Sequence, residues 1–505
     1  MGSDTSSDRV RILAGAGQNL LGLVIFVVAT LGTNVLISRA FGPDGPSALG
    51  IITLATQFAF VGGAATRFGM DMAAVRRVAI DVGRGEGGRA RAVVSRAAVI
   101  AGAVSVVVGV VVFVAARAIA AALGAPEAVD AFRAAAVALP FVALSQVYLG
   151  GTRGLKVMRH TLWIYWAGQP VAWIAVMVAA WAISRSTGSS VLAYALSWAL
   201  ATAAAAFAWR AETKRFTPLP AEPGEAQALI RYGAPRAPAA LLAQLLFWVD
   251  YFILSRYVES AELGIYAAAV RVAHAIVLFL IAVNYMFSPF VADLHARGER
   301  EQLDGLFKLL TRWVVAGTIP ILLLLAIVPG PVLLLFGGQF DQGTTALRIL
   351  LIGQAVNVAV GSVGFILIMV GRTGWDLAVY AASFALDVLL AFVLAPRFGA
   401  EGAAVAQAVT LALSNLARLY LVWRFVRIQP FDRHYARLAL PTILAALVMI
   451  FSRVVLPDVG WPAELVTVGL IGVVVYAAAL FTVGLSADER GAIANFARLA
   501  TRRAR

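Results

Sequence analysis

Two polar residues, Arg271 and His274, lie inside a long apolar run, and the arginine is well suited to bind an anion. They lie three positions apart, so a helix presents them on one face. An arginine guanidinium bonds phosphate oxygens in pairs and stays protonated in apolar surroundings. Arg271 is therefore a candidate to bind a phosphate-like group, and His274 is more typical of a polar group satisfied between helices than of a proton relay.

Three other apolar segments carry polar residues at helical spacing. Arg236 and Asp250 share a broad face of one segment, Gln354 and Asn357 share a face of the second, and Arg418 follows polar residues on the third. Four such stripes are typical of helices that line a water-filled cavity. The predicted cavity residues are Arg271, Arg236, Arg418, Asn357, Gln354 and His274.

Two carboxylates, Asp250 and Asp387, also lie within apolar runs. A charge at the centre of a bilayer costs at least ~2.5–3.5 kcal/mol, so each needs water, a partner or a function. Either aspartate is a candidate ion-pair partner of Arg271, and both are candidates for coupling transport to ions or protons. The sequence leaves these alternatives open.

The composition explains why charged residues in apolar runs matter here. Of the 505 residues, 61% are hydrophobic and 13% charged, against about 45–50% and about 25% in soluble proteins. The sequence has no cysteine, which excludes disulfides and Cys-ligated metals. It also lacks a metal-spaced histidine pair, a nucleophile elbow and an ATP-binding loop. These features predict a membrane protein that is neither an enzyme nor an ATP-driven pump and that needs no cofactor or metal.

Apolar runs of about 20 residues, the length that crosses a bilayer, define fourteen predicted spans. With the N-terminus inside, the predicted cytoplasmic segments hold 27 Lys and Arg residues and the outer segments seven, as the positive-inside rule requires. This distribution explains the net charge of +14 as a topology signal, reinforced by anionic lipid headgroups, without nucleic-acid binding. The spans are 12–38, 48–70, 92–115, 131–153, 160–184, 190–210, 229–256, 262–290, 306–335, 344–371, 374–396, 402–424, 435–456 and 462–485.

A short repeat divides the chain. Ile37-Ser38-Arg39 precedes Ala48-Leu49-Gly50-Ile51, and Leu254-Ser255-Arg256 precedes Glu262-Leu263-Gly264-Ile265, six spans later. An even separation predicts an all-α membrane protein with two six-helix lobes, related by a pseudo-two-fold axis along the membrane normal, plus two extra C-terminal helices. The predicted parts are an N-terminal lobe 1–210, a Pro-rich cytoplasmic linker 211–228, a C-terminal lobe 229–427, the extra spans in 428–486 and a basic cytoplasmic tail 487–505.

The second copy of this repeat, Ser255 to Tyr266, resembles the start of the second lobe in prokaryotic polysaccharide flippases. These proteins transport lipid-linked oligosaccharides and belong to the multidrug/oligosaccharidyl-lipid/polysaccharide exporter superfamily. The turn Arg397-Phe398-Gly399 to Ala404 is similar to the family's connection between helices 11 and 12.

The resemblance implies two six-helix bundles in a V that open a central cavity to each side in turn. It implies location in the prokaryotic cytoplasmic (inner) membrane with both termini cytoplasmic. The implied cargo is a polyprenyl-pyrophosphate-linked oligosaccharide, moved to the outer leaflet for cell-surface polysaccharide synthesis. Arg271, helped by Arg236 and Arg418, would hold the pyrophosphate, and polysaccharide polymerase machinery would be the partner.

Other functions fit some of these features. A multidrug or cation antiporter of the same superfamily usually has twelve spans, and an arginine-lined cavity suits an anionic cargo better. A membrane glycosyltransferase or polymerase needs larger outer loops than this chain has. A flippase for the peptidoglycan lipid precursor shares both fold and chemistry, and the sequence does not separate it from the main interpretation.

The N-terminal lobe carries uncharged polar residues within its spans: Asn34, Gln57, Gln146 and Gln169. Its fifth span carries Trp163, Trp166 and Trp173. These tryptophans either stack on sugars or anchor the span at the membrane interface.

Overall fold

A computed structural model describes residues 22, 24–234, 237–455 and 460–484. Within these ranges the regular elements are all helices, and no strand is present. Among the described residues, ten helical stretches are long and apolar enough to cross a membrane. A helix satisfies its own backbone hydrogen bonds, which a spanning segment in lipid requires.

The chain packs as two units, one of residues 1–268 and 380–406 and the other of residues 269–379 and 407–505. In chain order, the helices from the start to residue 275 are α1 (Val24–Ala40), α2 (Gly45–Thr66), α3 (Met70–Gly83), α4 (Ala90–Ala122), α5 (Val129–Gly154), a π-helix (Thr161–Gly168), α6 (Gln169–Trp181), α7 (Thr187–Thr213), α8 (Glu225–Gly233), α9 (Ala237–Leu245), α10 (Val249–Leu254) and α11 (Ser260–Ala275). The remaining helices are α12 (Leu278–Ala296), α13 (Arg300–Ile327), α14 (Pro329–Leu333), α15 (Thr344–Val360), α16 (Val363–Met369), α17 (Thr373–Val426), α18 (Arg433–Ala436), α19 (Ala439–Val455), α20 (Trp461–Ala479) and a π-helix (Leu480–Gly484).

Helix α5 is the centre of the first unit and packs against α2, α3, α4 and α7. Its buried face is rich in small residues, including Ala131, Ala135 and Ala138. Small residues let helix backbones approach closely where lipid supplies no hydrophobic drive for association. This packing explains why the alanine-rich segments form a tight bundle.

In the second unit, the hairpin of α19 and α20 packs against α13. Arg453 on α19 pairs with Glu464 on α20 at 3.0 Å and donates to the Ile327 carbonyl at 2.7 Å. That carbonyl is among the last of α13, where a helix leaves carbonyls unbonded. The arginine therefore fixes this hairpin to the end of α13.

Each of the fourteen predicted spans overlaps helical residues, but several spans are interrupted. Span 229–256 contains α8, α9 and α10, span 262–290 contains α11 and α12, span 306–335 contains α13 and α14, and span 344–371 contains α15 and α16. The prediction of continuous helices there was wrong, because an apolar run reports burial and not backbone continuity. The predicted tail 487–505 lies outside the described residues.

Helix α17 covers two predicted spans. Its 54 residues would extend about 80 Å at 1.5 Å per residue, far beyond the ~30 Å apolar layer. Gly399 has non-helical dihedrals within it (φ 53°, ψ −133°). An ion pair between Asp376 and Arg418 near its two ends requires the chain to fold back. The element is therefore a hairpin, as the two separate spans predicted.

Candidate substrate site

The predicted anion-binding residues Arg271 and His274 lie near the end of α11, and both side chains are half-buried. Their position on a helix three residues apart confirms the shared face. The helix ends at Ala275, and α12 begins at Leu278. Arg271 is thus placed four residues before a helix interruption that hydropathy did not predict.

Gln354 and Asn357 lie on α15, as one polar stripe. The Asn357 side-chain amide donates to the Gln354 side-chain oxygen at 3.2 Å, and Gln354 is buried. This contact confirms the predicted common face. It also leaves the Gln354 amide hydrogens and the Asn357 oxygen as groups that can bond a polar ligand.

The same span is interrupted at Gly361, which has φ 69° and ψ −142°. A Cβ atom at this position would lie 2.3 Å from the Thr311 hydroxyl oxygen. Glycine is required here for both reasons. The interruption also frees the Ala359 carbonyl, which accepts a hydrogen bond from the Tyr435 hydroxyl at 3.1 Å.

The two interruptions meet at a small cavity of about 40 Å³ in the second unit. Ile276, at the interruption after α11, borders the cavity together with Val358 and Ala359 of α15 and Thr318 of α13. Its lining is almost entirely apolar, so the cavity is a packing gap beside the two interruptions and is not itself a polar binding site. Transporters use interrupted helices near their substrate sites.

Arg418 is buried and already bonded to other side chains. Its Nε lies 2.9 Å from the Asp376 carboxylate, and its Nη1 donates to the Ser414 hydroxyl at 2.6 Å. Its Cδ atom is 3.4 Å from where a Cβ on Gly364 would lie. The sequence predicted that Arg418 lines the cavity. In the structure, its contacts with Asp376 and Ser414 lie within the α17 hairpin. Arg236, the third predicted arginine, lies outside the described residues.

The two aspartates belong to the first unit, and both are buried. The Tyr266 hydroxyl donates to the Asp250 carboxylate at 2.5 Å, and Asp387 lies within electrostatic range of the same hydroxyl. Tyr251 stacks on Tyr266 with ring centroids 6.3 Å apart. The structure therefore places Tyr266 in hydrogen-bond contact with Asp250 and within electrostatic range of Asp387. An ion pair of either aspartate with Arg271, which belongs to the other unit, stays a prediction.

Residues 45–344 match the model of a family described as polysaccharide biosynthesis proteins. The chain belongs to this family. Among its relatives, the probable low-salt glycan biosynthesis flippase Agl15 of Haloferax volcanii is 24% identical over 208 residues, 40% of this chain and 43% of the relative. The probable flippase AglR of the same organism is 25% identical over 252 residues, 48% of this chain and 52% of the relative. The chain thus spans about half the length of these relatives.

The fold of this polysaccharide biosynthesis protein is that of known transporters. The lipid II flippase MurJ in an inward closed conformation superposes with a TM-score of 0.72 at 14% identity, covering 91% of this chain and 97% of MurJ. An inward-facing multidrug transporter of the MATE family gives a TM-score of 0.66 at 13% identity, covering 82% and 98%. These likenesses show a shared fold.

Sequence reasoning missed two residues that shape the polar interior of this family member. Asp376 is the ion-pair partner of Arg418. The two residues lie on opposite sides of the Gly399 turn at nearly equal distances along the chain, and this symmetry could have indicated the pair. Tyr266 bonds Asp250, and its signal was its place at the end of the repeat that begins at Ser255. A tyrosine next to apolar residues is typical of ordinary packing, so the sequence did not indicate that its hydroxyl forms a hydrogen bond.

Proposed function

We propose that this polysaccharide biosynthesis protein is a flippase. It moves a polyprenyl-pyrophosphate-linked oligosaccharide from the cytoplasmic to the outer leaflet by alternating access. The observation that carries the proposal is Arg271, half-buried four residues before a helix interruption that borders a cavity. Family membership gives the biosynthetic setting.

In this proposal Arg271 binds the pyrophosphate, because a guanidinium keeps its charge at any physiological pH. His274, Gln354 and Asn357 supply neutral donors, and Arg236 adds a second cation. Arg418 is assigned a structural role. Withdrawing it to bind substrate would leave the buried Asp376 carboxylate uncompensated, at a cost of about 3–5 kcal/mol.

The proposal includes the full predicted topology. Fourteen spans form two six-helix lobes and two extra helices, in the cytoplasmic membrane, with both termini cytoplasmic and with polysaccharide polymerase machinery as the consumer of the product. The repeat supports the lobes, since its two glycines, Gly50 and Gly264, occupy equivalent positions in contacting helices. The excess of Lys and Arg in one set of loops supports the orientation.

We propose that Asp250, Tyr266 and Asp387 form the site that couples transport to its energy source. Two buried carboxylates in electrostatic range of one tyrosine are a chemically reasonable site for a proton or a small cation, because burial disfavours the charged form of a carboxyl group. Intramembrane acidic groups recur in proton and ion pathways of transporters.

The similarity to MurJ over most of the chain favours one second candidate, a flippase for the peptidoglycan lipid precursor. Both cargoes carry a pyrophosphate on a polyprenol, so the anion site serves either. Export of a drug or organic cation, the third candidate, fits the fold but not an arginine at the site.

The test is a deletion strain complemented with wild type, Arg271→Ala, or Arg424→Ala as a control. Arg424 is an exposed arginine of the same unit. We expect the deletion to accumulate lipid-linked oligosaccharide on the inner leaflet, and Arg424→Ala but not Arg271→Ala to restore export at equal protein levels. Increased drug sensitivity with normal surface polymer would support the antiporter. Rescue of a strain that lacks its lipid II flippase would support the peptidoglycan precursor. Full export by Arg271→Ala would contradict the assignment of the anion site.

A further inference from the structure

Seven aromatic rings of the first unit form one contiguous cluster. Ring-to-ring contacts join α1, α2, the π-helix Thr161–Gly168, α6 and α7. Centroid distances run from 4.9 Å to 6.5 Å, the range of favourable aromatic pairs. The members are Phe26, Phe60, Tyr165, Trp166, Trp173, Tyr194 and Trp198.

The cluster depends on the π-helix. The backbone N–H of Gln169 donates to the carbonyl of Ile164, five residues earlier, which shows the wide turn of this helix. Two adjacent residues, Tyr165 and Trp166, both reach the cluster and contact each other at 5.0 Å. A π-helix carries an energetic cost relative to an α-helix, and such segments are frequent at functional sites.

The rings form a buried layer and a partly exposed layer. Tyr194 and Trp198 are 6% and 2% exposed, whereas Phe60, Tyr165 and Trp166 are half-buried. The exposed fraction of the second layer offers ring surface to another molecule. A cluster that served only as internal packing would be expected to bury all of these rings.

A second observation points to a polar ligand. The Trp198 indole Nε1 is buried and has no hydrogen-bond acceptor among the residues that the structure describes. By contrast, Trp173 and Trp181 donate to Ser190, at 3.1 Å and 2.9 Å. Buried indole N–H groups usually have a partner. A donor without one, among half-exposed rings, is suited to a ligand oxygen.

The buried polar side chains on these helices include uncharged amides. Gln169, directly after the π-helix, is buried and donates to the Ser197 hydroxyl at 3.0 Å, one residue before Trp198. Asn34 of α1 and Gln57 of α2, the helices that carry Phe26 and Phe60, are also buried. Aromatic faces with neutral amides match a neutral sugar, whose ring offers C–H faces for stacking and hydroxyls for hydrogen bonds.

We propose that this aromatic cluster is the sugar subsite of the transporter and binds a neutral pyranose of the cargo by stacking on Tyr165 and Trp166. The inference rests on the proposed function, in which the cargo is a lipid-linked oligosaccharide. Stacking on a sugar and binding of a pyrophosphate are different chemistry, so each can be tested separately. The alternative role of an interfacial belt explains neither the mutual contacts across five helical segments nor the buried indole of Trp198.

The experiment measures binding to purified full-length protein with two kinds of probe. One is a polyprenyl pyrophosphate without sugar, and the others are the same lipid carrying a single glucose, mannose or N-acetylglucosamine. We expect wild type to bind at least one sugar-bearing lipid about tenfold more tightly than the bare lipid. Trp166→Ala should abolish this preference without changing affinity for the bare lipid.

Two further variants make the result specific. Trp163→Ala is the matched control, because Trp163 lies in the same π-helix but outside the ring cluster, and it should retain the preference. Trp198→Phe keeps a ring and removes the N–H, and should lower sugar-lipid affinity by about fivefold, the value of one hydrogen bond. Equal affinity of wild type for all four lipids would overturn the sugar subsite while leaving the pyrophosphate site intact. Failure of wild type to bind even the bare lipid would contradict the proposed function itself.

Discussion

Gly50 of α2 and Gly264 of α11 meet with their backbones in direct contact. A Cβ atom on Gly50 would lie 2.1 Å from the Ser260 carbonyl oxygen, and one on Gly264 would lie 1.9 Å from the Pro46 carbonyl oxygen. The two glycines hold the same position in the sequence repeat. Equivalent residues of the two copies therefore pack against each other, and any side chain larger than hydrogen would separate them.

Gly264→Ala is expected to weaken this contact. The backbone oxygen of Pro46 cannot rotate away as a side chain would, so the helices must separate, at a cost of about 1–3 kcal/mol. We expect a lower melting temperature of the purified protein and loss of export. Gly32→Ala on α1 is the control, since a Cβ there meets nothing within 4 Å. Equal melting temperatures for the two variants would show that the contact is not required.

The repeat was visible in the sequence, but the contact between its copies was not. Hydropathy located the apolar segments because lipid exposure and burial both select apolar residues, and it placed Gln354 and Asn357 on one face correctly. It could not locate the interruptions after Ala275 and at Gly361, because an apolar run reports burial and not backbone continuity. The partner of Arg418 was missed because a contact across 42 residues depends on the hairpin geometry.

Breaking the Arg418–Asp376 pair is expected to destabilise the protein. Asp376→Asn leaves the buried guanidinium without its counter-charge, with an expected loss of about 3–5 kcal/mol. A double variant, Arg418→Met with Asp376→Leu, removes both charges and should recover most of the stability. Thermal unfolding in detergent measures both effects. If the double variant is stable but does not bind the bare polyprenyl pyrophosphate, Arg418 belongs to the substrate site and its structural assignment is wrong.

Gly361→Ala should disturb the interruption of the tenth predicted span. Its φ of 69° with ψ of −142° is a conformation that non-glycine residues rarely adopt, and strain of this kind costs about 1–3 kcal/mol. We expect reduced stability and transport. Adding Thr311→Ala relieves the steric contact but not the backbone strain, so rescue should be partial. Gly371→Asn is the control, because Gly371 also has a positive φ but open space around it, and asparagine tolerates that region.

The predicted linker segment contains a pH-sensitive contact with other residues of the first unit. Glu222 accepts a hydrogen bond from Arg77 at 2.5 Å and pairs with Arg89, and the Leu219 amide donates to the Gly88 carbonyl at 3.2 Å. The hydrogen bond from Arg77 lowers the pKa of Glu222. A lowered folded-state pKa gives stability that is present above the unfolded pKa of about 4.3 and is lost as pH falls through the folded value.

Glu222→Gln should therefore lower the melting temperature at pH 7, and the difference from wild type should shrink below about pH 4. Burial raises the pKa values of Asp81 and Glu225 in the same cluster, which acts in the opposite direction in both proteins. Comparing variant with wild type at each pH removes the effect of burial, and what remains includes the smaller effect of the Glu222 charge on these two pKa values. Glu401→Gln, at an exposed position, should show no such difference. A constant difference between pH 3.5 and pH 7 would exclude an ionic contribution from Glu222.

Asp387→Asn tests the proposed coupling site. Asparagine preserves the size of the side chain but cannot take up a proton or neutralise a cation, so transport should lose its dependence on a proton or sodium gradient. Tyr266→Phe removes the hydroxyl that bonds Asp250 and should shift this dependence without abolishing it. Uptake of a lipid-linked oligosaccharide into proteoliposomes, with each gradient imposed in turn, provides the measurement. Asp130→Asn, whose carboxylate is 82% exposed, is the control. If Asp387→Asn responds to the gradients as wild type does, coupling must occur elsewhere, and the buried aspartates serve only to hold Tyr266 in place.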